Sequence, residues 1–66
     1  MKITINEVSL ELPEGSTLQD ALDAKDIKPQ GIATALNGTV VPAILRPSKK
    51  LADGDSIVII KAFYGG

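Results

Sequence analysis

The last fourteen residues read Asp53-Gly54-Asp55-Ser56-Ile57-Val58-Ile59-Ile60-Lys61-Ala62-Phe63-Tyr64-Gly65-Gly66. Asp-Gly-Asp is a turn signal, and the β-branched run after it predicts a strand over residues 56–62. A strand in a sheet with one wet face should alternate apolar and polar side chains. This one does not, because Ile57, Val58, Ile59 and Ile60 are apolar at successive positions. If Ile57 and Ile59 point into the core, Val58 and Ile60 must point away from it. The strand then runs directly into two glycines, which lack Cβ and suit a slot too narrow for other residues. The group after Gly66 is an α-carboxylate, ionised at neutral pH. An apolar strip beside a thin carboxylate stalk is what a docking surface requires.

Upstream, Asn37-Gly38 is the strongest hairpin signal of the chain, since a type I′ turn needs positive φ at both central residues. It joins a strand over 32–37 to a short return, Thr39-Val40-Val41, which Pro42 limits to a sheet edge. Ala33 and Ala35 on the first of these strands are expected to share the outer face with Val58 and Ile60. The alternative is that Val58 and Ile60 pack beneath residues 43–52, which have no clear period and read as a loop with a helical turn. Residues 1–6 and 7–12 alternate as two further strands, with Asn6-Glu7 between them as a weaker hairpin turn. Pro13-Glu14-Gly15 breaks the second strand. Ser16 is expected to cap a helix, with Gln19 completing a capping box. Leu18, Ala21 and Leu22 supply its buried stripe, and Pro29 ends it near Lys25. The order is hairpin, helix, hairpin, loop, strand. That is an α+β arrangement in which one main helix covers one face of a mixed four- to five-stranded sheet.

At 66 residues the chain is one domain with a small core, too small for a fold and an enclosed active site together. Seven basic residues stand against eight acidic ones. A net charge of −1 offers no basic field for a nucleic acid. Cysteine and histidine are absent, which removes disulfides, Cys/His zinc sites and Cys- or His-based nucleophiles. The alternating N-terminus is neither a signal peptide nor a membrane span, and the expected location is cytoplasmic. Asp53 and Asp55 are expected to build a turn and hold no calcium, because the other ligands of such a loop are missing. Lys49-Lys50 reads as a solvated corner. Gly15 and Gly31 read as ordinary turn glycines.

Taken together, the element order, Val40-Val41-Pro42 after Asn37-Gly38, Leu51-Ala52-Asp53-Gly54-Asp55 before an apolar strand, and terminal Gly65-Gly66 resemble the ThiS family, the small sulfur carriers of thiamine biosynthesis. The resemblance covers the whole chain. It implies a ubiquitin-like β-grasp domain over residues 1–62 and a flexible Gly-Gly tail over 63–66. It also implies a carrier with no catalytic residue or metal ligand of its own. Gly66 is the residue modified, first to an acyl-adenylate and then to a thiocarboxylate. Gly65, Tyr64 and Phe63 are expected to enter a partner's channel, with the two aromatics as anchors. Val58, Ile60, Ala33 and Ala35 are expected to form the docking surface.

The implied partners are an adenylating enzyme of the ubiquitin-activating type, thiazole synthase, and a sulfur donor such as a cysteine desulfurase or persulfide carrier. Nucleic acid and membrane are not among them. ATP and Mg are used by the activating partner, and this chain binds no cofactor. One departure concerns the position after Val-Pro, where family members often carry Arg. This chain has Ala43, with Arg46 three residues later, so whether Arg46 grips a partner instead stays open. The small subunit of molybdopterin synthase shares the fold and tail but is usually longer. An isopeptide-forming modifier would share the adenylation. Residues 36–60 are also similar to TGS interaction modules, which continue into another domain. This chain starts at Met1 and stops at Gly66, so a complete small protein is expected.

Overall fold

A computed structural model describes residues 1–61. The expectations placed on Ala62, Phe63, Tyr64, Gly65 and Gly66 lie outside the described residues. The chain forms strands β1 (Lys2–Ile5), β2 (Val8–Glu11), β3 (Ile32–Leu36), β4 (Thr39–Val41) and β5 (Ser56–Lys61). A helix α1 (Leu18–Ala24) follows β2, and a 3-10 helix (Ala43–Ser48) follows β4. The sheet order is β2-β1-β5-β3-β4. β1 and β5 lie parallel at its centre, and the other pairs are antiparallel.

Both hairpins turn on positive φ. Asn6 and Glu7 stand at 48° and 71°, and Asn37 and Gly38 at 49° and 85°. These are the backbone angles of a type I′ turn, whose twist matches that of the flanking strands. Glu7 therefore holds a left-handed conformation that costs a residue with a Cβ.

The cap of α1 is one residue later than the sequence predicts. Thr17 Oγ1 accepts from the Asp20 amide at 3.2 Å, and Asp20 Oδ2 accepts from the Thr17 amide at 2.9 Å. That reciprocal pair is the capping box. Ser16 instead donates its hydroxyl to the Pro13 carbonyl at 2.7 Å and closes the preceding turn. Gln19 bonds to Asp23, one turn further on. Two neighbouring hydroxyls could cap, and the backbone decides: Ser16 is engaged by the turn, while Thr17 is extended at φ −103°, ψ 172°. The helix ends before Pro29 acts. Asp26 enters the left-handed region at φ 56°. The Ile27 and Asp26 amides then bond back to Leu22 and Asp23, as in a Schellman motif with Asp in place of Gly.

Leu18, Ala21 and Leu22 are fully buried on α1. Leu18 and Ala21 pack with Ile3, Ile5, Leu12, Leu36, Val41, Leu51 and Ile57 as one core. The segment after the 3-10 helix is stitched to the helix start, since Leu18 N donates to Lys49 O and Leu51 N to Ser16 O. Among the described residues no helix is long and apolar enough to cross a membrane.

Candidate functional site

The outer sheet face carries the predicted apolar strip. Strand pairing sets Ala33 opposite Ile60 and Ala35 opposite Val58. Directly paired residues point to the same face, so these four share one surface. Val58 is 43% exposed and Ile60 61%, whereas Ile57 on the other face is fully buried. Ala33 is exposed and Ala35 half-buried. The structure also adds Val40, 71% exposed and paired with Ala35. The two-residue Asn37-Gly38 turn forces that pairing, so counting back from the turn would have found Val40. Thr4, Ser9 and Ser56 share the outer face and make a small polar border, as the pairings Thr4–Ser9 and Thr4–Ser56 require.

The 43–52 segment does not cover this face. Arg46, from the 3-10 helix, bonds to Thr34, whose side chain is buried and lies opposite Ile59 on the core side. The 3-10 helix therefore packs on the side of α1, and the alternative placement of Val58 and Ile60 beneath it is excluded.

Arg46 is not a gripping residue. It is 2% exposed. Its Nε donates to Thr34 Oγ1 at 3.1 Å, Nη1 to Pro29 O at 3.1 Å and Nη2 to Ile32 O at 2.9 Å. The guanidinium fork thus ties the loop before β3 to the 3-10 helix, using carbonyl dipoles and a hydroxyl as its partners. Thr34 in turn donates to Val41 O at 2.9 Å. An Arg preceded by Pro42 and exposed apolar residues gave no periodic sign of burial.

Asp53 and Asp55 serve the turn, as expected. Asp53 Oδ1 accepts from the Lys2 amide, and Asp55 accepts from the Ala52 amide and the Asn37 side chain. No group of three or more metal-ligating side chains is present among the described residues. Lys49 and Lys50 are exposed. β5 delivers the tail at Lys61, which pairs with Ile32. An open cleft lined by Ile27, Lys28, Ile32 and Lys61 flanks that point.

A single helix clasped by a mixed five-stranded sheet, with a bare apolar outer face and its last strand leading into the terminus, is a β-grasp domain of the ubiquitin-like class. The chain belongs to the ThiS family, whose family model matches residues 1–66. It is 29% identical to the sulfur carrier protein ThiS of Escherichia coli (strain K12) over 66 residues, covering 100% of both chains. The crystal structure of the thiamine biosynthesis protein (ThiS) from Geobacter metallireducens shares the fold. Its TM-score is 0.82 at 23% identity, over 100% of this chain and 99% of that one. A ubiquitin-like protein from the archaeon Caldiarchaeum subterraneum is a more distant likeness. Its TM-score is 0.53 at 19% identity, over 97% and 96% of the two chains.

Proposed function

We propose that this chain is a sulfur carrier of thiamine biosynthesis, a protein cosubstrate on which other enzymes act. The observation that carries the reading is the family match over residues 1–66, which includes Gly65-Gly66. A carboxylate is a poor electrophile, so its oxygen has to be activated before sulfur can replace it. The Gly66 carboxylate attacks the α-phosphate of ATP held by an adenylating partner, forming the acyl-adenylate and releasing pyrophosphate. Magnesium and basic groups on that partner offset the charge on the phosphates.

The terminal sulfur of a partner persulfide then attacks the Gly66 carbonyl carbon and expels AMP. A second thiol on the sulfur-donating side cleaves the acyl persulfide at its S–S bond. The thiocarboxylate leaves with the bonding pair, and the two partner sulfurs end as a disulfide. The thiocarboxylate is the nucleophile delivered to thiazole synthase.

This chain contributes no acid, base or metal ligand to these steps. It contributes the tail, with Phe63 and Tyr64 as anchors and Gly65-Gly66 threading the channel. It also contributes the outer face of Val58, Ile60, Ala33, Ala35 and Val40 as the docking surface. Intact mass after co-expression with an adenylating enzyme and a sulfur donor tests the reading. A second species heavier by one sulfur-for-oxygen exchange, localised to Gly66, is expected. Free acid alone, with ATP and sulfur supplied, would overturn it in favour of a β-grasp interaction module.

A further inference from the structure

β1 pairs with β5 only as far as Ile57, whereas β5 runs on to Lys61. Beyond Ile57, β5 has β3 along one side, with Ala33 opposite Ile60 and Ile32 opposite Lys61. On the other side the chain turns away at Asn6-Glu7. The backbone ladder there ends with Thr4 N donating to Asp55 O at 3.0 Å and Asn6 N to Ile57 O at 2.9 Å. The next rung is made by a side chain. Asn6 Oδ1 accepts from the Ile59 amide at 2.8 Å, and Asn6 Nδ2 makes a longer contact of 3.4 Å to the Ile59 carbonyl. The carboxamide thus takes the place of a peptide group and extends the central ladder by one step toward the tail.

We infer that Asn6 is a positioning residue for modification of the terminus. Its carboxamide holds the end of β5 from the β1 side and so constrains the direction in which the chain leaves the sheet toward its terminus. The inference rests on the carrier reading above. Arg46 secures the opposite side, because Nη2 holds the carbonyl of Ile32, the residue paired with Lys61. With Asn6 removed, the last residues of β5 are held along β3 alone and can tilt about that ladder. Five residues follow Lys61. Lys61 is the last described point of the sheet before the terminus, and a tilt of β5 there changes where those residues start and the direction in which they leave. An adenylyl transfer that needs the carboxylate and the α-phosphate in near-attack geometry is sensitive to a misplacement of about 1 Å. A terminus aimed correctly for only part of the time is recognised with an affinity reduced by that fraction.

Asn6→Gly isolates the effect, because glycine keeps the positive φ of the turn while removing the carboxamide. The wild-type chain is first shown to support ATP–pyrophosphate exchange with an adenylating enzyme. Failure at this step overturns the carrier reading itself. With the wild type active, Asn6→Gly is expected to lower kcat/KM about tenfold. The Ile59 amide should exchange faster while the melting transition stays cooperative. Leu10→Ala, on the far strand of the sheet, is the control for general destabilisation and should keep wild-type kcat/KM. Asn6→Asp, which keeps the acceptor for the Ile59 amide, should recover part of the loss, and Asn6→Ala, which lacks that acceptor, replaces Asn6→Gly if the glycine variant fails to fold. Unchanged kcat/KM in the folded Asn6 variant, or an equal loss in Leu10→Ala, would overturn the inference.

Discussion

Arg46 shows how the fold decides the role of a residue whose charge alone leaves it open. In sequence it reads as a charged residue of an aperiodic segment, yet in the fold it is a buried connector with three acceptors. Among the described residues no carboxylate pairs with it. Its stabilising effect therefore depends on carbonyl and hydroxyl contacts outweighing desolvation of the guanidinium. Arg46→Met keeps much of the volume and removes all three bonds. Leaving a buried acceptor or hydroxyl unsatisfied costs about 1–3 kcal/mol, so a loss of about 3 kcal/mol is expected in urea denaturation. An unchanged midpoint would show that desolvation cancels the bonds. Glu7 points the other way. At φ 71° it occupies a position that suits glycine. Glu7→Gly is expected to stabilise by about 0.5–1 kcal/mol, the left-handed cost relieved less the extra entropy of the unfolded glycine. A drop in melting temperature would refute that reading of the turn.

At the scale of elements, α1 has only seven residues, too few to persist without its cap and its packing. Thr17→Ala should cost about 1 kcal/mol. Gln19→Ala should cost little, because Gln19 makes only an exposed side-chain bond to Asp23. Chemical denaturation of the two variants separates the observed capping box from the one predicted at Ser16. β5 carries the sharper functional division. Ile57 is enclosed by the core, while Ile60, three residues on, faces solvent beside Ala33. Ile60→Asp should therefore leave the melting temperature within a few degrees of wild type, as surface changes usually lie within about 0.5 kcal/mol. It should weaken binding to an adenylating enzyme at least tenfold, since a charge placed at the centre of an apolar interface is left desolvated and unpaired. Equal losses of stability and binding in calorimetry would make Ile60 part of the core.

At the scale of the whole molecule, the core fills one side of the sheet and the tail is reached only through β5. Folding and presentation of the terminus are thus separable. One residue appended after Gly66 should leave thermal unfolding unchanged and abolish adenylation, read by pyrophosphate exchange. Retained adenylation would remove the terminal carboxylate from the chemistry. Most of this architecture was legible in local patterns. Alternation marked β1 and β2, Asn37-Gly38 set the second hairpin, and the successive apolar residues of β5 announced a strand with apolar side chains on both faces. These signals are local because side-chain period and turn angles depend on neighbours a few residues apart. Tertiary structure alone decided that Thr17 and not Ser16 caps the helix, that the 3-10 helix lies on the core side, that Arg46 is buried, and that Asn6 reaches across to Ile59. Each of those depends on a partner brought close by folding, 12 residues away for Arg46 and Thr34 and 53 for Asn6 and Ile59. A hydrogen bond across such a separation leaves no period in the chain, because only the folded sheet sets the distance between its partners.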